Sequence, residues 1–114
     1  MKITRLSECD STPVNIEGAE GAMRQVLIGK ADGAPHFSIR VFTLEPGGHT
    51  PHHSHESEHL NYVLEGEGIA MEGDSERPIK QGDFILVTPF ETHQYRNSGD
   101  KPLVFMCMVP SQYE

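Results

Sequence analysis

Apolar and polar residues alternate in short stretches along this chain, and no window repeats apolar positions at three and four residues over two turns. That pattern predicts strands. The runs are 24–29, 37–44, 60–64, 69–72, 84–87, 92–96 and 102–109. Turn residues divide them, at Asp32-Gly33, Pro46-Gly47-Gly48, Gly66-Glu67-Gly68, Gly73-Asp74, Gln81-Gly82 and Ser98-Gly99-Asp100. Many short strands with turn signals between them predict an all-β antiparallel sandwich or barrel. The first 20 residues or so are less regular and are expected to form an N-terminal arm.

Because successive side chains of a strand point to opposite faces, the runs can be sorted into faces. Phe37, Ile39, Val41 and Thr43 share one face, and Ser38, Arg40, Phe42 and Leu44 the other. In the last run Leu103, Phe105, Cys107 and Val109 oppose Val104, Met106 and Met108, so both faces are apolar. A strand apolar on both sides asks for cover on both. One face is expected to line a barrel interior, and the other to meet a second sheet or a second copy of the chain.

Composition narrows the class. A chain of 114 residues with 36% apolar residues has room for a single water-soluble domain, residues 1–114. The net charge of −8, from 17 acidic and 9 basic residues with no polybasic run, argues against nucleic acid and anionic membranes as partners. Neither a leader-like apolar stretch after Met1-Lys2-Ile3-Thr4-Arg5 nor an 18-residue apolar run is present, which predicts a cytoplasmic protein. Cys9 and Cys107 show no paired spacing, and reduced thiols are expected.

Five of the seven histidines fall between His49 and His59. A neutral imidazole suits borderline divalent cations. His53 and His55 are two apart and point to one side of an extended segment. His59 can return to that side if residues 56–58 turn tightly, and Glu58 is a rival ligand. His93 lies on a later strand, after Pro89. His49 and His52 belong at the rim by spacing, and His36 reads as polar surface. A solvated, His-rich loop with no metal is the alternative.

Two sets of residues resemble the two motifs of the cupin family. Gly47, His53, His55, position 59 and Gly66 stand in register with the first, and Gly82, Pro89, His93 and Asn97 match the second with small changes in spacing. The resemblance covers about residues 36–110 and implies a jelly-roll barrel, the double-stranded antiparallel β-helix. The departure is His59, where the family usually has glutamate. In this the chain is similar to an all-histidine subset of small single-domain bacterial cupins, among them a manganese-containing hyperthermophile protein. The resemblance implies His53, His55, His59 and His93 as ligands of one divalent metal, with Mn or Fe favoured. Nitrogen donors by themselves favour Ni, Zn or Cu.

Four neutral imidazoles would leave the full +2 charge of such an ion uncompensated, favouring anionic oxygen ligands and activation of bound water. Protons compete for the same nitrogens, so metal loss is expected below about pH 6. Strand faces bring Arg40, Tyr95, Phe42, Phe105 and Cys107 to the candidate pocket wall. Arg40 is the candidate clamp for a carboxylate and Tyr95 a candidate proton donor. No phosphate-cradling loop, dinucleotide fingerprint or Ser-His-Asp pattern is present. The expected function is a metal-dependent enzyme of dioxygenase or oxidase type acting on a small oxygen-rich molecule. A non-catalytic binding or sensing module, and a metal-dependent isomerase or lyase, remain alternatives. A homodimer through the outer face of the last strand is also expected.

Overall fold

The spine of the molecule is an eight-residue antiparallel ladder, running from Phe37 opposite Pro110 to Leu44 opposite Leu103. The computed structural model describes residues 1–114. Nine strands run in chain order: β1 (Thr12–Pro13), β2 (Glu20–Ile28), β3 (Phe37–His49), β4 (His59–Glu65), β5 (Glu67–Glu72), β6 (Ser75–Lys80), β7 (Phe84–Val87), β8 (His93–Arg96) and β9 (Leu103–Pro110). Three 3-10 turns are the only helical elements. The fold is all-β and antiparallel, as the alternation predicts, and it is the jelly roll that the family resemblance implies.

Strand order is β6-β5-β8-β3-β9-β4-β7, with β2 also on β3 and β1 on β2. The first part of β3 pairs with β2 and β9, and its end, at His49, pairs with Arg96 of β8. β3 therefore belongs to both layers and turns the corner between them. The corner is a bulge: the partners of β2 jump from Leu44 to His49, and Gly47 adopts a φ of 82°. This corrects the reading of Pro46-Gly47-Gly48 as a turn that ends the strand. The Gly and Pro signal was real, but it bends the strand without terminating it.

The faces sort as alternation requires. Ser38, Arg40 and Leu44 are buried on the inner side of β3, and Leu103, Phe105, Cys107 and Val109 on the inner side of β9. Leu44, Val63, Leu103, Phe105 and Tyr95 form the centre of the core, with Ala22 and Ile79. One strand escaped the sequence pattern. Ser75–Lys80 is polar except at Pro78 and Ile79, and of its residues only Ile79 is buried. It forms by hairpin pairing with β5, from Glu67 opposite Lys80 to Glu72 opposite Ser75.

The N-terminal residues are docked against the sheet. Gln25 of β2 donates its amide to the carbonyls of Leu6 and Cys9, and the Lys2 ammonium bonds Asp32 and the Leu27 carbonyl. Both cysteines are free, Cys107 in the core and Cys9 partly buried. No helix is long and apolar enough to cross a membrane. On the outer face, Leu60 and Tyr62 lie opposite Leu86 and Phe84 on one side and Met108 and Met106 on the other. Phe84 is 81% and Leu86 56% exposed there.

Two residues shared with the family motifs are structural. Asn97 is buried, and its amide donates to the carbonyls of Leu44 and Lys101 while accepting from Gly99 N–H. Gly66 holds a φ of +86°, and a Cβ there would stand 2.3 Å from the Pro102 carbonyl oxygen. Gly66→Ala should therefore cost at least about 1–3 kcal/mol. Thermal denaturation of the variant checks it, with a fall of several degrees expected.

Candidate metal centre

Residues 47–53 leave the β3 corner and run beside β8. Gly47 N–H donates to Asn97 O, Thr50 N–H to Tyr95 O, and His53 and His93 exchange both peptide hydrogen bonds, at 3.1 and 2.9 Å. That last pair is an antiparallel bridge. Residues directly opposite in such a bridge project their side chains to the same face. The rings of His53 and His93 accordingly lie 5.1 Å apart although 40 residues separate them in sequence.

His55 joins them through the turn at 88–91. The N–H of Phe90 donates to the His55 carbonyl at 2.7 Å, with Phe90 at a φ of 66°. A bulky residue in the left-handed region is strained, and here it holds the backbone beneath the histidine ring. The same turn supplies the Glu91 carbonyl, which accepts from His93 Nδ1 at 2.8 Å. His55 Nδ1 bonds the Ser57 carbonyl at 2.8 Å. A carbonyl accepts only, so both rings carry their proton on Nδ1 and leave Nε2 as a lone-pair donor. His55 Nε2 is buried with no hydrogen-bond partner.

One donor nitrogen from each of His53, His55 and His93 lies within 4.8 Å of the others. Bonds of about 2.0–2.1 Å to a common ion place ligand nitrogens up to about 4.2 Å apart, so small ring rotations close the set. Together with the orphaned His55 nitrogen, this donor set fits a divalent metal. His59 begins β4 and faces the same interior, with its ring 4.4 Å from that of His55 and 5.7 Å from that of His93. It falls outside the converging group of three.

Glu58 is exposed. His52 is also exposed and bonds the Gly73 carbonyl, while His49 bonds the Thr50 carbonyl and lies 3.7 Å from Glu20. His36 is on the surface beside Phe37.

Next to the histidines is a cavity of about 100 Å³ lined by His53, His59, His93, Arg40, Phe42, Phe105, Cys107, Tyr95 and Asn61, with Val14, Ile16, Thr50 and Pro51 also on its wall. No carboxylate lines it. Arg40 is buried, donates to Cys107 Sγ at 3.1 Å, and lies 5.1 Å from the Phe42 ring centroid. Its Nε has no partner. Tyr95 reaches across from β8, and its hydroxyl lies 2.6 Å from Asn61 Nδ2. Asn61 went unnoticed in the sequence because one asparagine in an apolar strand carries no local signal, and its partner is 34 residues away.

Electrostatics agree with a basic, dry site. Burial, then the neighbouring His93, His55 and His52, lowers the pKa of His53 to about 4. Burial, then Arg40 and the other imidazoles, lowers His59 to about 3. His93 is lowered too, chiefly by burial. Burial pushes Tyr95 and Cys107 up, so both keep their protons near neutrality.

His53 and His59 stay neutral well below the ordinary imidazole value. For the metal-free protein the sign is fixed by linkage. The folded pKa values lie below the unfolded value of about 6.5, so the stability these groups contribute is full above that value. It declines as pH falls from about 6.5 toward 4 and 3, because only the unfolded chain takes up protons there. Thermal melts between pH 7 and 4 should show a falling midpoint, flatter in a His53→Ala, His59→Ala double variant. An equal slope in the variant would contradict the assignment.

Comparison with known proteins agrees with this geometry. The model of the cupin domain matches residues 40–109. An oxalate-binding protein of Thermotoga maritima is 32% identical over 100 residues, covering 83% of this chain and 81% of its own length. Gentisate 1,2 dioxygenase 1 of Aquipseudomonas alcaligenes is 34% identical over 97 residues, covering 77% of this chain. This chain spans only 28% of that dioxygenase, and 47% of another curated relative. Among solved structures, the polyketide cyclase RemF of Streptomyces resistomycificus superposes with a TM-score of 0.92 at 29% identity, over 97% of this chain and 80% of its own. With its jelly roll and its histidines from both motif regions converging, the chain belongs to the cupin family.

Proposed function

We propose that the protein is a metal-dependent enzyme of dioxygenase or oxidase type that acts on a small oxygen-rich acid in the cavity beside His53, His55 and His93. The observation that carries this reading is the pairing of a converging imidazole set with a buried, acid-free guanidinium in one interior. His59 is the fourth ligand in this reading, reached by rotation of its ring. A divalent ion held there supplies Lewis acidity and, as iron or manganese, one-electron chemistry. The resemblance to a manganese-containing cupin favours those two metals, and the similarity to a gentisate dioxygenase supports the reaction class.

The chain's own residues do the rest. Arg40 anchors an anionic oxygen of the substrate, and its attraction is strong because the surroundings are apolar. Tyr95, held protonated by burial, donates a hydrogen bond toward the bound molecule. Phe42 and Phe105, stacked with centroids 5.5 Å apart, together with Val14 and Ile16 give the cavity an apolar wall. A second reading, a non-catalytic binder, is favoured by the oxalate-binding protein, which matches this chain over most of both lengths. Free thiols suit the cytoplasm, and the exposed apolar face around Leu60, Phe84 and Leu86 suits a two-fold dimer.

Three outcomes test these statements. Alanine at His53, His55, His59 or His93 should lower metal affinity by roughly 10-fold or more, whereas Glu58→Ala should leave it unchanged. Metal titration reads this, and retention in His59→Ala with loss in Glu58→Ala would overturn the ligand set. Iron-loaded protein should consume dioxygen with an aromatic or aliphatic hydroxy acid, while ligand binding without turnover under every metal would establish the binder. Light scattering should give twice the 12.7 kDa chain mass, and a monomer would refute the dimer.

A further inference from the structure

Side chains that line the cavity and keep a polar atom unpaired point to the kind of molecule that suits it. Asn61, Cys107 and Arg40 stand in one transverse row across β4, β9 and β3, since Asn61 is opposite Cys107 and Cys107 is opposite Arg40. All three are buried and line the cavity. Two atoms of this row, Arg40 Nε and Asn61 Oδ1, are buried without a hydrogen-bond partner. A ligand that supplies a partner to both is favoured over one that leaves either unpaired.

We infer that the cavity selects a small hydroxy carboxylic acid, with its carboxylate on Arg40 and its hydroxyl on Asn61. The carboxylate follows from charge: the cavity wall holds the buried Arg40 guanidinium and no acid, so an anionic group there meets a cation with no competing carboxylate in the wall. The hydroxyl follows from the amide. Asn61 Nδ2 is committed to the Tyr95 hydroxyl and Oδ1 is left needing a donor. With the amide turned over, Tyr95 would donate to Oδ1 and Nδ2 would need an acceptor. A hydroxyl serves in both cases, because it donates and accepts, whereas a second carboxylate or a methyl group does not. Size sets the remaining limit. At about 100 Å³ the cavity favours a short-chain acid.

This inference rests on the proposed cavity as the ligand site, but not on the metal. The experiment is a calorimetric titration of the full chain, metal-free and zinc-loaded, with lactate, propionate and lactamide. Propionate lacks the hydroxyl and lactamide lacks the carboxylate. In the metal-free protein lactate should bind roughly 10-fold more tightly than either. Chelation cannot produce that preference, since no ion is present. Asn61→Leu should bring lactate down to the level of propionate, and Arg40→Gln should weaken both acids. Equal affinities for lactate and propionate, or no binding of lactate up to tens of millimolar, overturn the inference whether or not the variants fold. If zinc binds and the preference is absent, this inference fails and the metal reading stands. If zinc does not bind and lactate is preferred, the metal reading fails and this inference stands.

Discussion

The candidate site depends on the short antiparallel pairing between residues 47–53 and β8. Peptide hydrogen bonds from Gly47 to Asn97, from Thr50 to Tyr95 and between His53 and His93 join the end of one layer to the other. Without them the two motif regions would be distant loops. With them, two histidines face each other across a bridge whose geometry is set by backbone, and the ring positions follow. The bulge at Glu45–Gly48 makes this pairing available, because it carries β3 beyond the end of its ladder with β9, at Leu44 opposite Leu103, to where His49 meets Arg96.

The site is thus built on rigid strands at its back and on a strained turn at its mouth. Inner-face residues of β3, β4 and β9 deliver Arg40, Asn61 and Cys107 as a row, and Tyr95 meets that row from β8. Burial then does two kinds of work. It keeps His53 and His59 neutral and ready to coordinate, and it leaves Arg40 Nε without a hydrogen-bond partner. The second effect is the one that the proposed anionic oxygen ligand answers.

Much of this was legible in the chain, and the rest was hidden for identifiable reasons. The alternation in 37–44 and 102–109 gave the two central strands and their inner faces, because the core filters each face strongly. The strand Ser75–Lys80 was invisible, since pairing with β5 and not burial creates it. Pro46-Gly47-Gly48 was misread because a bulge and a turn use the same residues. Among the histidines, the two-residue spacing of His53 and His55 was informative, whereas the placement of His59 depends on a turn that spacing cannot fix. Asn61 carried no local signal at all, because its meaning arises only when Tyr95 and Arg40 come to it from other strands.

The central claim is that His53, His55 and His93 converge to hold one divalent ion through ring nitrogens. X-ray absorption spectroscopy of the zinc-loaded protein tests it most directly. The account predicts a first shell dominated by nitrogen at about 2.0–2.1 Å with the outer-shell scattering of at least three imidazoles. A shell of oxygen alone, or one unchanged when all three histidines are replaced, would contradict it.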